Sequence, residues 1–529
     1  MKEKLVEEWL IRARERGGID KAFGQWLISE GHEVLWLGHS PTEFGKDIIS
    51  KSPDGVFHAY QVKDENIDLK ELRNIRHQID DLVEVPIVHP RVPHGLSHQA
   101  HLVTSGLFTE EATLQIRAMN EGWSARGRPN VEPIGRNDLI PRFVGMSDTF
   151  WPEKPADIRD FFSFYLAEGC GDFDPKKFGD VLRGLLPLCD EAPRRKAQRL
   201  ASLGLLGNYL LNPFEREGDH WSLFRGWTMI AAHQAWFAER AALPARDWRP
   251  SFDLAKDAAR ERLLALSVEC LAPNAFKPKE IESDDYTRAR NLVLAGVLAV
   301  TDLIGADKGN ADPEQVKQRV EMLLQNQRLI VLGECDVPFL LAIQWYVEKR
   351  AIQATAIDYL QAVISEICQR NHTYAEDDCF PPPLVSANEI LADLFTAAAA
   401  KERNRRCPGT WSLETLVDFL ARRNHRIFLT EMWRNISRLD MMSFQPQPAV
   451  DGLLWDCPEG HEAMRKPGIE QGWAKLVARS VEDKSATLPA VLRSDRDFAL
   501  MFLLAHPHRL SPALVGSLEQ EDRRSGSNR

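Results

Sequence analysis

The run of residues from Glu33 to Lys63 constrains the fold of this chain most. It contains three short segments of β-branched and aromatic residues, each bounded by turn residues: Val34–Leu37, Asp47–Ser50 and Val56–Lys63. Short apolar runs of this kind between turn signals are typical of β-strands. We therefore predict a small antiparallel sheet near the amino terminus.

The connection Ser52–Gly55 fixes how the last two strands pair. Pro53 suits the first central position of a type I turn, and Gly55 suits the left-handed position that closes a three-residue hairpin loop. Counting back along both strands from this loop places Asp47 opposite Gln61. A loop of two residues would instead move Asp47 away from Gln61, because a slip of one residue exchanges the faces of a strand.

The alternation of side chains then decides which groups meet. Residues two apart on a strand share one face, so Lys63 is expected on the same face as Gln61 and Asp47. Val62 points the other way, into the core. A carboxylate, an amide and an ammonium group are therefore predicted to converge.

These residues carry a resemblance to a known family. The pattern GKD, then a hairpin, then QVK resembles the core of the PD-(D/E)xK nuclease superfamily, in the glutamine variant typical of Mrr-like restriction endonucleases. The resemblance covers about residues 15–145: IDKAFGQWLISEGHEV is similar to the family's first helix, and AHLVTSGLFTEEATLQI and VEPIGRNDLI to its later strands and helices. Asp20 stands at the first-helix acidic position, where the family usually has Glu, and VPIVHPRVPHGLSHQAH looks inserted.

The resemblance implies a fold, a cofactor and roles for named residues. The fold is a restriction-endonuclease-like α/β domain, and the cofactor is Mg²⁺, with Mn²⁺ as a substitute. Asp47, Gln61 and the backbone carbonyl of Val62 would hold the metal ion, which prefers oxygen ligands. Lys63 would orient or activate a water and stabilise developing charge, while Asp20 would approach the ion or hydrogen-bond Lys63.

Contact with nucleic acid requires local basic patches, since the formal net charge of the chain is −11. The segment Trp123–Arg128 supplies two candidate phosphate contacts, Arg126 and Arg128, beside an aromatic residue. Arg76 is a third candidate, although a solvated helix face is the favoured explanation for scattered charges of this kind. Ser105, in a small-residue turn after a predicted strand, is a fourth candidate or part of a plain tight turn.

Four histidines at positions 89, 94, 98 and 101 suggest a structural zinc site. Intervening prolines and a glycine prevent one regular helix from presenting them, and no cysteine or carboxylate completes a familiar ligand spacing. The sequence favours a loop over the cleft whose imidazoles contact DNA.

The length of 529 residues requires more than one domain. We predict a nuclease domain at 1–145, a linker at 146–156, a large all-α region at 157–520 and a disordered tail at 521–529. In the helical region apolar residues recur every three or four positions. No fixed repeat period is evident, yet irregular helix pairs could stack as a helical repeat.

The eight cysteines form no CxxC pair and avoid the nuclease segment, which favours reduced thiols in the cytoplasm. No apolar run reaches the roughly 20 residues of a membrane helix, so no membrane role is expected.

Three functions are consistent with these features. The favoured one is a DNA endonuclease of a bacterial restriction or antiphage defence system, whose helical region senses, regulates or targets the nuclease through a defence partner or self-assembly. The second is an RNA or repair nuclease of the same chemistry. The third is an inactive nuclease-like scaffold whose helical half binds protein partners.

Overall fold

A computed structural model describes residues 2–13, 15–37, 45–146, 173–189, 191–272, 284–305, 312–325, 329–371, 379–386, 389–390, 409–456 and 461–526. The chain divides into two compact units, Met1–Ala258 and Ala259–Arg529. The domain boundary predicted near residue 145 lies inside the first unit, and positions 147–156 of the predicted linker lie outside the described residues.

The first unit begins with a mixed α/β part. Its elements are α1 (Lys2–Arg12), a π-helix (Glu15–Ile19), α2 (Asp20–Ser29), β1 (Glu33–Leu37), β2 (Ile48–Lys51), β3 (Phe57–Lys63), α3 (Leu69–Asn74), α4 (Arg76–Glu84), β4 (Gln99–Thr104), α5 (Glu110–Ser124), β5 (Val131–Ile134) and α6 (Arg136–Gly145). The three predicted strands are confirmed as β1, β2 and β3.

Thr109 caps α5 by accepting a hydrogen bond from the backbone N–H of Ala112, as its position before two acids leads one to expect.

The five strands form one sheet in the order β1-β2-β3-β4-β5. The first two pairings are antiparallel and the last two are parallel. The β2–β3 register pairs Ile48 with Tyr60 and Lys51 with Phe57, which confirms the predicted hairpin register. Gly55 has a φ of 90°, so the loop uses the left-handed position where only glycine is unstrained.

Alternate residues of β3 face two different helical layers. Phe57 and Ala59 belong to a core that also contains apolar residues of α3, α4 and α5. On the other face Tyr60 packs edge to face against Phe23 of α2, with ring centroids 5.2 Å apart. Gln61 and Lys63 therefore lie on the α3–α5 face of the sheet, which we call the site face. The opposite face, under α2, we call the imidazole face.

Four further helices complete the described part of the first unit. They are α7 (Pro175–Gly184), α8 (Pro193–Glu217), α9 (His220–Arg240) and the first half of α10 (Ala245–Leu271), which continues beyond Ala258. Of these helices, α8 makes the most extensive contact with the α/β part. It packs along α2 and touches the π-helix.

The second unit is mainly helical, as predicted, but it also contains a three-stranded sheet. Its helices are α11 (Asp284–Leu303), α12 (Pro313–Gln325), α13 (Val337–Arg350), α14 (Ile357–Arg370), α15 (Leu413–Arg422), α16 (Arg426–Ile436), α17 (Trp473–Ser480), α18 (Ala490–Ser494), α19 (Arg496–Ala505) and α20 (Pro512–Gly526). The sheet has the order β6 (Gly409–Thr410), β7 (Asp440–Gln445) and β8 (His461–Arg465). The expectation of an all-α region is wrong at these strands, because DMMSFQ and HEAMR contain none of the β-branched residues that signal a strand.

The helix α20 continues to Gly526, into the segment predicted as a disordered tail. Over the residues that the structure describes, every helix is too short or too polar to cross a lipid bilayer.

Candidate active site

The β2–β3 hairpin brings Asp47 onto Gln61, as the register requires. One carboxylate oxygen, Oδ2 of Asp47, accepts a hydrogen bond from Nε2 of Gln61 at 2.5 Å and from the backbone N–H of Val62 at 2.7 Å. The backbone N–H of Asp47 in turn donates to the carbonyl of Tyr60 at 2.8 Å. These three bonds fix the carboxylate at the end of β3.

The residues before Asp47 hold this strand end against α4. Gly45 has a φ of 71°, and a Cβ at this position would collide with the carbonyl oxygen of Gln78 on α4. The next residue, Lys46, is 2% exposed, and its Nζ donates to the carbonyl of Asp81 at 3.1 Å. Burial lowers the pKa of Lys46 to about 8. The segment therefore has little freedom to move away from Gln61.

Lys63 lies two residues beyond Gln61 and forms an ion pair with Glu15. Its Nζ lies 3.1 Å and 3.2 Å from the two carboxylate oxygens of Glu15, and the side chains are only 10% and 23% exposed. The backbone N–H of Glu15 also donates to Oδ2 of Asp64 at 2.9 Å. The π-helix is thus attached to the end of β3 at two neighbouring residues.

The acidic group that meets Lys63 is therefore Glu15, which the sequence analysis did not select. Asp20 instead begins α2, is 2% exposed, and accepts a hydrogen bond from the backbone N–H of Lys21 at 2.6 Å. Glu15 could have been selected because it is a glutamate, whereas Asp20 is an aspartate. The family that the hairpin resembles usually has Glu in this region, and Glu15 lies just upstream of Asp20.

The oxygens around Asp47 fit a hard cation better than a soft one. Within the described residues no three His, Cys, Asp or Glu side chains form a metal-binding group, so Asp47 is the single carboxylate of the predicted set. Oε1 of Gln61, however, is buried without a hydrogen-bond partner, and Gly45 leaves space beside it. The carbonyl of Val62 faces the same strand edge as its N–H, toward Asp47. All three donors are oxygens, which is the preference of Mg²⁺ and Mn²⁺.

Ser105 lies at the carboxyl end of β4, next to the end of β3. It is fully buried, its hydroxyl donates to the carbonyl of Asp64 at 3.2 Å, and its backbone N–H donates to the carbonyl of Lys63 at 3.1 Å. In this conformation Ser105 joins the two strand ends, which corresponds to the tight-turn alternative.

The three candidate arginines lie around α4 and α5, and they differ in their partners. Arg76 pairs with Asp80 at 3.1 Å and lies over the ring of Trp123. Arg126 pairs with Glu84 at 3.0 Å. Arg128 is exposed and makes no ion pair within the part of the chain that the structure describes. Arg128 is therefore the candidate with a cation available to a phosphate.

A second polar cluster occupies the imidazole face, and the sequence analysis did not foresee it. Nδ1 of His58 lies 3.0 Å from Nε2 of His101, whose Nδ1 lies 3.1 Å from a carboxylate oxygen of Glu132. Nδ1 of His32 lies 3.0 Å from the hydroxyl of Ser50. Burial, followed by the neighbouring imidazoles His101 and His32, lowers the pKa of His58 to about 4.

This arrangement separates the histidines of the zinc hypothesis. His101 belongs to the imidazole face, whereas Nε2 of His98 lies 2.7 Å from the carbonyl of Leu82 on α4. His89 contacts its own loop, because its Nδ1 accepts a hydrogen bond from the backbone N–H of Arg91 at 3.2 Å. The structure does not bring these three histidines together.

Comparisons with known proteins give no relative for this chain: no family model, no curated protein and no solved structure matches it significantly.

Proposed function

We propose that the first unit is a metal-dependent endonuclease that cleaves DNA. One observation supports this most directly: Asp47 is hydrogen-bonded to Gln61, and Lys63 follows two residues later on the same face of β3. Phosphodiester hydrolysis needs an oxygen-ligated cation and a nearby positive group. This strand end has carboxylate, amide and carbonyl oxygens that would ligate such a cation, and the ammonium of Lys63 is the positive group. The PD-(D/E)xK type of nuclease, in its Mrr-like form, is the family that this arrangement resembles.

Asp47, Gln61 and the carbonyl of Val62 would hold Mg²⁺ or Mn²⁺, which when bound acts as a Lewis acid and lowers the pKa of a coordinated water. Gln61 supplies a neutral oxygen, so the site has one negative charge fewer than a pair of carboxylates. Weak metal binding follows from that count. The ammonium of Lys63 stabilises negative charge on the phosphate, and the ion pair with Glu15 holds that ammonium in place.

DNA is the proposed substrate, and the proposed setting is bacterial restriction or antiphage defence in the cytoplasm. Arg128 supports backbone contact, because it is an exposed cation that no carboxylate of the described residues pairs with. An RNA or repair substrate requires the same hydrolytic groups, so the choice of substrate rests on the resemblance alone.

An inactive scaffold is the alternative with an observation in its favour. The ammonium of Lys63 is already neutralised by Glu15, and the predicted metal ligands include a single carboxylate. If the site has lost catalysis, the helices would bind protein partners instead.

The test is a cleavage assay with the full-length chain. Plasmid DNA, single-stranded DNA and RNA are incubated with Mg²⁺ or Mn²⁺, and wild type is compared with Asp47→Ala. Glu132→Ala is the matched control, since Glu132 is an acid of the same sheet on the imidazole face. We expect cleavage by wild type and by Glu132→Ala and none by Asp47→Ala. Equal activity of all three proteins would refute the assignment, and absence of cleavage by wild type would favour the scaffold.

A further inference from the structure

We propose that the helices downstream of the α/β part control the Glu15–Lys63 ion pair, and that α2 and the π-helix transmit this control. The inference rests on the proposed function, since it concerns regulation of the same site. The helix α8 packs along α2 and also touches the π-helix that carries Glu15.

Gly204 of α8 lies directly against Gln25 of α2. A Cβ on Gly204 would lie 2.5 Å from Cδ of Gln25 on α2, so any side chain there must push Gln25 away. Gln25 is 1% exposed, and its Nε2 lies 3.4 Å from the carbonyl of Ser251 on α10. Gln25 therefore contacts two helices of the bundle, and a side chain added at Gly204 has to displace Gln25 or shift α2.

The π-helix connects α2 to the site without an intervening loop. It ends at Ile19, which is fully buried, and α2 begins at the next residue. At its other end Glu15 contacts Lys63 through its side chain and Asp64 through its backbone. A π-helix is a rare and less stable form of helix, and one that contains Gly17 and Gly18 can change to another turn at low cost. The observed arrangement places Glu15 on Lys63, and the proposed control requires a second arrangement that does not.

The consequence for catalysis follows from the burial of the pair. Lys63 is 10% exposed, so its ammonium depends on Glu15 for a partner. When Glu15 withdraws, Lys63 loses both its neutralising charge and its fixed orientation. Glu15 is therefore a positioning residue that acts through Lys63, and α8 determines whether it does so.

The experiment adds a methyl group at Gly204 by substitution with alanine and uses Gly207 as the matched control. Both glycines lie on α8, but a Cβ on Gly207 would collide with Ile230 of α9 instead of α2. Full-length Gly204→Ala and Gly207→Ala are compared with wild type at equal folded fraction. A third protein combines Gly204→Ala with Gln25→Ala. The shorter side chain at position 25 restores the space that the added methyl group takes up.

Three measurements are made: cleavage rate, hydrogen exchange of residues 15–29, and modification of Lys63 by an amine-directed reagent in metal-free protein. For Gly204→Ala we expect cleavage to fall about fivefold or more, as for an ordinary coupling between sites. Hydrogen exchange in 15–29 and modification of Lys63 should both rise. Gly207→Ala, whose added methyl group meets α9 instead of α2, should change cleavage, exchange and modification less than Gly204→Ala does. The double variant should recover.

Equal effects of the two glycine substitutions, or unchanged exchange and unchanged Lys63 modification in Gly204→Ala, would overturn the inference. The last two readouts need no activity. If wild type cleaves nothing, the proposed function fails, while the mechanical link between α8 and Lys63 is still tested.

Discussion

The two faces of β3 carry polar groups of opposite character. On the site face Gln61 and Lys63 take part in charged contacts, and Oε1 of Gln61 has no partner. On the imidazole face His58 and Tyr60 stack with His101, and the Tyr60 and His101 rings are 4.6 Å apart at 18°. The site face thus holds an ion pair and an oxygen without a hydrogen-bond partner among the described residues. The imidazole face groups its rings beside the carboxylate of Glu132 and keeps His58 neutral.

The difference shows how a buried polar cluster can be interpreted. Most buried polar atoms in proteins have hydrogen-bond partners, so an orphan beside a carboxylate calls for an explanation such as an ion or a ligand. The rings of His58 and His101 contact each other, and burial lowers the pKa of His58, so packing alone explains this cluster. The following predictions test the two faces separately, each with a comparison variant.

The largest effect is expected for Lys63→Met. Removal of the ammonium takes away the positive group next to the scissile phosphate, so the cleavage rate should fall about 10³-fold or more. Tyr60→Phe is the matched control, because Tyr60 lies on the same strand and faces α2. Its rate should stay within about twofold of wild type, since substitutions away from the chemistry change barriers by a few tenths of a kcal/mol. A comparable loss in both variants would mean that the faces do not differ in function.

The next effect is expected for Gly45→Ala. Alanine at a φ of 71° is strained and meets the carbonyl of Gln78, so the free energy of unfolding should fall by about 2–3 kcal/mol. Gly127→Ala is the control, since Gly127 has a φ of 67° but no atom near its Cβ position. Strain alone should cost that variant about 1 kcal/mol. Urea unfolding of both proteins measures the difference, and equal losses would show that contact with α4 contributes nothing.

A pH effect should come from the imidazole face. His58 has a lowered pKa of about 4 in the folded chain, below its ordinary value, so the unfolded chain binds its proton first as pH falls. Stability is therefore full above about pH 6.5 and decreases toward pH 4, by about 1–2 kcal/mol after allowance for solvent screening of the half-buried ring. Urea unfolding at several pH values measures this decrease. His58→Gln should flatten the decrease between pH 6.5 and 4, and an unchanged slope would assign the effect to other groups.

The smallest effect is expected for Arg128→Ala. Loss of one phosphate contact should weaken DNA binding a few-fold and lower the slope of log affinity against log salt by about 1. Arg142→Ala is the control, because Arg142 lies over the ring of Trp26 on α2. Binding is measured by fluorescence anisotropy over a range of salt concentrations. If Arg142→Ala weakens binding as much as Arg128→Ala, the basic surface is not confined to the site face.

The amino-acid sequence by itself determined the hairpin and the contact within it. Turn chemistry at Pro53 and Gly55 fixes the loop length, and the two-residue period of a strand then places Asp47 on Gln61. Both rules act between residues close in the chain, so they can be applied without knowledge of the rest of the fold.

Only the tertiary structure decided the partner of Lys63, the imidazole face and the contact of α8 with α2. Glu15 and Lys63 are 48 residues apart, and His58 and His101 are 43 apart. The strands β7 and β8 were missed because DMMSFQ and HEAMR contain no β-branched residues. With β6 they pair only where the fold brings them together. Contacts across such separations depend on how whole elements pack, and local periodicity contains no information on that packing.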